Sequence, residues 1–355
     1  MRKKSKARLL LPPNTKHKIY YKTMRVLITG ANGFIGRHLC ELLIQHQYQI
    51  RGLVLPQENY TALETLPVEI WKGDLSNPTS LQGIAEGCSI VFHLAARVTD
   101  WGTYRQFHES IIVATENILK ETIAAQVPRF VFASSVAACG MGRHLGFPNE
   151  SNPIQKSGIP YNDTKLLAET LVKTQAQTFG FDYTIIRPTN VTGPNSVWVK
   201  DPIARMKSTF GLPLLDGGQY DACLVDVANL VDGFYRAATM PEGINETFFL
   251  MDDWKVSWKQ YLTDLGNLAH TRPRGNMSFA TAWQLGSLSE RIANLFQVRS
   301  PVTRLGAGLI GRDCRVDTTK AQTKLGWSSQ VNYQEAMRRI ATWLEAEKSN
   351  AASEA

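Results

Sequence analysis

TGANGFIG, Thr29–Gly36, follows the apolar run of residues 25–28 and leads into an amphipathic stretch over 35–47. A glycine pattern with a strand before it and a helix after it reads as a nucleotide-binding turn. Gly30 permits the tight turn, Gly33 lets the backbone approach a pyrophosphate, and Gly36 lets the helix lie close on the strand. The amides from Asn32 through Phe34, Ile35 and Arg37, with the positive end of the helix, then hold the phosphates. No Gly-Lys-Ser/Thr follows, so the turn is not the phosphate loop of an NTPase.

Working outward, short apolar runs alternate with amphipathic stretches. Strands are expected at 25–29, 49–55, 69–72, 90–94, 129–134 and 183–187, and helices at 35–47, 80–86, 107–125 and 161–179. That alternation specifies an α/β fold, a doubly wound parallel sheet of the Rossmann type over residues 24–190, with its ligand crevice at the carboxyl ends of the strands. Beyond 190 the rhythm is lost. Residues 191–355 read as a smaller, partly interleaved substrate domain with helices at 257–270, 280–296 and 333–346. Strands near 222–227 and 247–251 return towards the first domain.

Composition narrows the function. The 355 residues carry 39 Lys and Arg against 31 Asp and Glu. Eight of those cations lie in residues 1–23, which hold no acid, so the rest of the chain is balanced. This excludes a nucleic-acid-binding body. The tail is expected to be disordered and permits weak peripheral contact with an anionic membrane surface. No apolar run is long enough to span a membrane. Five scattered cysteines with no CxxC pair argue against a disulfide framework and a zinc site, and favour a reducing, cytoplasmic setting.

Further motifs follow in order: GDL at 73–75, HLAA at 93–96, FASS at 132–135, YNDTK at 161–165 and RPTNVTGP at 187–194. Together with the glycine turn, their order resembles the extended short-chain dehydrogenase/reductase family, the NAD-dependent epimerase/dehydratase superfamily, over nearly all of residues 24–346. The resemblance implies that Asp74 and Leu75 contact the adenine, that Leu94, Ala95 and Ala96 line the cofactor channel, and that Pro188 packs on the nicotinamide.

Tyr161 and Lys165, four apart on a helix, share a face. A phenol with an ordinary pKa of about 10 exchanges protons poorly near neutrality, so the ammonium is expected to stabilise its phenolate and also to hold the nicotinamide ribose. Ser135 is expected to polarise the substrate oxygen. It is preferred to Ser134 because the family's catalytic serine lies five residues before the glycine matched by Gly140, while Ser134 suits a strand-end hydrogen bond. The family's supporting helix Asn is matched by Ile111, with Ser110 or a water as substitute. Arg187 reads either as part of the nicotinamide loop or as a surface ion-pairing residue.

The second strand ends without an acid, and Arg37 and Arg51 are the nearest cations. The cofactor is therefore NADP or NAD, with NADP preferred. The loop Val98–Tyr104, including Trp101 and Tyr104, is aromatic near the site mouth, and Val136, Asn190 and Tyr220 complete the expected substrate contacts. Tyr220 stands where nucleotide-sugar members of the family carry a diphosphate-binding Arg. With SSVA at 134–137 and DTTKAQTKLGW at 317–327, the chain looks most like the 3-beta-hydroxysteroid dehydrogenase branch. That resemblance implies oxidoreduction between a ketone and a secondary alcohol on an apolar, sterol-like or long-chain 3-oxo substrate, and a homodimer through the catalytic-face helices. The alternatives are a nucleotide-sugar epimerase or dehydratase, and a non-catalytic NAD(P)-binding sensor or scaffold.

Overall fold

The computed structural model describes residues 24–296 and 298–353; the basic tail lies outside them. Eleven strands occur among the described residues: β1 Arg25–Thr29, β2 Gln49–Val54, β3 Val68–Lys72, β4 Ile90–His93, β5 Arg129–Ala133, β6 Asp182–Pro188, β7 Asn190–Thr192, β8 Leu214–Leu215, β9 Leu224–Asp226, β10 Glu246–Leu250 and β11 Asn276–Met277. Seven of them form one sheet in the order β10-β6-β5-β4-β1-β2-β3, every pair parallel. The order reverses between β1 and β4, and a crevice opens there at the carboxyl ends.

Strand alternation builds two apolar layers. Leu27, Val91, Phe130, Phe132, Ile185 and Phe249 face one way and pack with the helix Pro160–Phe179. Val26, Ile28, Phe92, Val131, Ile186 and Phe248 face the other and pack with the helices Phe34–Gln45 and Val227–Thr239. Both faces are covered, which is why these strands read as continuous apolar runs. A third cluster around Val199, Trp258, Tyr261 and Ile340 forms the core of the later part of the chain.

Three expectations are corrected. Residues 80–86 form no α-helix: a 3-10 turn over Pro78–Leu81 is cut short where Gly83 takes a left-handed φ of 79°. The stretch 107–125 is not one regular helix. A Thr103–Gln106 capping box starts the turn Tyr104–Phe107, a π-helical segment His108–Val113 follows, and regular helix resumes over Ala114–Ala124. The hydroxyls of Ser110 and Thr115 donate back to the carbonyls of Gln106 and Ile111 in that region, a bonding pattern that bends helices. Finally, β9 does not return to the main sheet but pairs with β7, whereas β10 does join it, beside β6.

Candidate active site

The glycine turn leaves β1 beside the end of β4. A Cβ on residue 30 would meet the backbone of Ala95 at 3.0 Å, and one on residue 36 would lie 2.0 Å from the carbonyl oxygen of Gly30. The helix Phe34–Gln45 begins at Gly33 with no side-chain cap and no acid in its first turn. Its first amides therefore lack side-chain acceptors, an arrangement that suits a pyrophosphate. Leu94 and Ala95 bond to the Thr29 carbonyl and hydroxyl, which fixes the HLAA segment against the turn. Asp74 caps its own turn through the Ser76 amide and hydroxyl, and the Leu75 carbonyl accepts from Asn117. The residues present fit a dinucleotide. Gly36→Ala is expected to weaken NADH binding roughly tenfold, since overpacking of about 1–3 kcal/mol falls on the phosphate-facing turn. Fluorescence titration checks this, and unchanged affinity would show that the turn does not carry the phosphates.

The helix Pro160–Phe179 starts with Pro160 in its first turn and stops at Gly180, whose φ is 76°. Tyr161, Lys165 and Glu169 recur every four residues on its buried face. Three successive residues at the tip of β5 receive them. The Lys165 ammonium donates to the Ala133 carbonyl at 2.8 Å. The Ser134 hydroxyl donates to Glu169 at 2.5 Å, which matches its reading as a strand-end hydrogen bonder. The Ser135 hydroxyl accepts from the Ala137 amide at 3.1 Å and lies close enough to the Tyr161 phenol to lower its pKa.

The electrostatics differ from the sequence expectation. Burial pushes the Tyr161 phenol up to about 12, and the neighbouring Ser135 hydroxyl is the influence that opposes it. Burial also pushes Lys165 down to about 8, against the Glu169 carboxylate, which raises it. With its ammonium on the Ala133 carbonyl, Lys165 does not acidify the phenol here: a neutral hydroxyl is the favoured state. At the end of β4, His93 is buried between the hydroxyls of Thr29 and Thr115. Desolvation, helped by Lys165, lowers it to about 3, so it is a neutral structural imidazole.

Arg187 is neither a surface residue nor part of an open loop. It is buried in β6, its Nε and Nη2 donating to the two Glu169 carboxylate oxygens at 2.8 and 2.6 Å. Ile111 is buried in the π-helical turn, and the Ser110 hydroxyl is held by its own helix, so it does not reach Lys165. Arg51, expected near the ribose, is consumed elsewhere: it bonds to Glu69 and to the carbonyls of Ile84 and Glu86.

A cleft opens over Tyr161, lined in part by Trp101, Gly102, Phe107, Ile159 and Ala293. Among the expected substrate residues, Trp101 is in it. Val98 and Tyr104 are exposed in the adjoining segment, and Val136 is buried. Asn190 donates its amide to the Ala222 carbonyl, and the Tyr220 ring rests edge-on against His144. The helix Phe279–Phe296 closes the cleft through Glu290, Ala293 and Asn294; no motif marked it.

Sequence reasoning also missed Glu58. Four residues beyond β2, its carboxylate turns back to accept from the Leu55 amide and, at 2.7 Å, from the Asn32 side chain in the glycine turn. Glu169, by contrast, carried a legible signal: it continues the spacing of Tyr161 and Lys165.

A parallel sheet with a phosphate-ready turn at its switch point, and a Ser-Tyr-Lys group at the next strand end, define a dinucleotide-dependent oxidoreductase. Residues 26–249 match the model of the NAD dependent epimerase/dehydratase family, and the chain belongs to that family. It is 30% identical over 318 residues to a 4-hydroxy-2-methyl-3-oxo-4-farnesyl-3,4-dihydroquinoline-1-oxide ketoreductase of Stigmatella aurantiaca, covering 88% of this chain and 95% of that one. A 2-alkyl-3-oxoalkanoate reductase of Stenotrophomonas maltophilia is 25% identical, with 89% and 98% covered. Among solved structures, a UDP-glucuronic acid 4-epimerase from Bacillus cereus in complex with NAD superposes with a TM-score of 0.72 at 20% identity, covering 91% of this chain and 99% of that one.

Proposed function

We propose that the protein interconverts a ketone and a secondary alcohol on an apolar substrate, with Tyr161, Ser135 and Lys165 as its catalytic residues. The observation that carries this is the placement of Tyr161, beside Ser135, in a cleft whose lining includes Trp101, Phe107 and Ile159. The names of the two curated relatives, a ketoreductase and a 2-alkyl-3-oxoalkanoate reductase, support the reaction class.

In reduction, Ser135 donates a hydrogen bond to the substrate oxygen and Tyr161 delivers its proton there, completing the hydroxyl. The hydride for the carbonyl carbon would come from a nicotinamide held in the crevice, which would take it back in the reverse direction. The phenolate left behind regains its proton from solvent, and the Lys165 ammonium one helical turn away would hold the nicotinamide ribose. Gly30, Gly33 and Gly36 with the amides of the following helix would hold the phosphates, and Leu94, Ala95, Ala96 and Pro188 would flank the nicotinamide half.

On the cofactor's second ribose, the structure supports NAD rather than the NADP preferred from sequence. Arg51 is engaged elsewhere. The Glu58 carboxylate, tied to Asn32, offers an acceptor to a ribose hydroxyl and repels a phosphate. NADH is expected to bind at least about tenfold more tightly than NADPH, a difference of roughly 1.4 kcal/mol; equal binding would return the preference to Arg37.

A nucleotide-sugar substrate is disfavoured because two of the cations available for its diphosphate are engaged and Tyr220 stands in place of another. Lys200 bonds to Asn195, Arg205 reaches Asp100 and the Pro301 carbonyl, and Tyr220 is uncharged. The discriminating assay offers apolar ketones with each reduced cofactor, and UDP-glucose in parallel. Net cofactor oxidation with a ketone supports the proposal; UDP-sugar conversion without net redox overturns it. A homodimer through the helices Ala114–Ala124 and Pro160–Phe179 belongs to the same reading by family resemblance, and twice the chain mass in light scattering would support it.

A further inference from the structure

Arg97 directly follows the HLAA segment, and the chain then enters the loop whose Trp101 and Gly102 line the cleft over Tyr161. Its guanidinium lies over two rings of that cleft, Trp101 at 5.1 Å and Phe107 at 6.0 Å from their centroids. Phe107 in turn meets the Tyr161 ring edge-on at 5.7 Å. The arginine therefore stands within the shell of aromatic side chains around the reacting hydroxyl.

It lacks a counter-charge. Among the described residues Arg97 makes no ion pair, and its buried Nε has no hydrogen-bond partner. The two acids lining the cleft are already matched. Asp100 faces Arg205 and Arg299 at 3.9 and 4.0 Å and accepts from the Thr303 hydroxyl. Glu290 is paired with Arg304 at 2.7 Å. A buried guanidinium N–H without an acceptor is destabilising, and its planar fork matches the geometry of a carboxylate.

We propose that Arg97 is an anion subsite of the active-site cleft that receives a carboxylate of the substrate, so that the natural substrate is an apolar oxo- or hydroxy-acid rather than a neutral ketone. The inference rests on the ketone–alcohol reading above and sharpens its substrate class. The substrate oxygen sits at Tyr161 and Ser135, the carboxylate lies against Arg97 between Trp101 and Phe107, and the apolar remainder extends under the helix Phe279–Phe296. A single cation suits a carboxylate and not a diphosphate, which requires several.

The test follows oxidation of 3- and 5-hydroxydodecanoate and of their methyl esters by the full chain, in the wild type, Arg97→Gln and Arg97→Lys, with melting temperatures recorded for each. The wild type is expected to prefer at least one free acid to its ester by about tenfold or more in kcat/KM. Arg97→Gln should lower that acid's kcat/KM by roughly 10–100-fold, chiefly through KM, the range for losing one partner of a partly buried charge pair. The ester should be little changed, and Arg97→Lys should recover part of the loss. Equal turnover of acids and esters by the wild type, or an equal loss for both in Arg97→Gln, would overturn the subsite and leave the ketone–alcohol reading standing. Failure of the wild type on every hydroxy compound, together with failure on neutral ketones, would instead sink that underlying reading.

Discussion

Tyr161→Phe is expected to lower kcat by roughly 10²–10⁴-fold, the usual contribution of a positioned proton donor, while NADH affinity and melting temperature stay near the wild-type values. The substitution keeps the ring against Phe107 and removes only the hydroxyl beside Ser135. Because burial holds that hydroxyl neutral up to about pH 12, the donor stays loaded across the physiological range, and the alkaline limit falls to Lys165. That ammonium loses its charge as pH rises through about 8, so reduction should decline there and not near the phenol's own pKa. Stopped-flow and steady-state assays across pH check both statements. A Phe variant with near-normal turnover would remove Tyr161 from the chemistry and revive the cofactor-binding sensor.

Glu169→Ala is expected to cost the fold about 3–5 kcal/mol, because it strands a buried guanidinium. Arg187 and Glu169 are each 2% exposed and meet through two bonds. Ser134 loses its acceptor in the same variant. The melting temperature should fall by roughly 5–15 °C. Replacing both residues by apolar side chains should recover much of this, since a well-packed apolar pair substitutes for a buried ion pair at little penalty. The variant carries a second signature: Glu169 is the influence that raises the Lys165 pKa, so any folded fraction should lose activity at lower pH than the wild type. A drop of under about 1 kcal/mol would show that the pair is dispensable.

Much of this was legible in the chain because local rules and tertiary demands coincide there. The glycine turn needs residues without a Cβ where the helix crosses the Gly30 carbonyl, and strands covered on both faces are mostly apolar. Order of motifs placed Ser135, Tyr161 and Lys165 together. What escaped were partnerships between distant segments. Arg187 reads as part of the nicotinamide loop or as a surface ion-pairing residue until β6 is laid beside the helix Pro160–Phe179. Glu58 lies past a proline and outside the usual strand-end position, so only the folded loop brings it to Asn32. The state of the Tyr161 phenol was misjudged for a related reason: spacing on a helix gives the face a side chain occupies, but not that the ammonium is bonded to Ala133.

The tip of β5 has a mechanical corollary. Ala133 and Ser134 grip successive turns of one helix through Lys165 and Glu169, so rotating that helix by a single residue, about 100°, would release both holds at once. Alignment of the proposed proton donor is therefore all-or-none, set by sheet register rather than by adjustable side chains, so the cleft's distant walls can be reshaped to admit new molecules without retuning that helix.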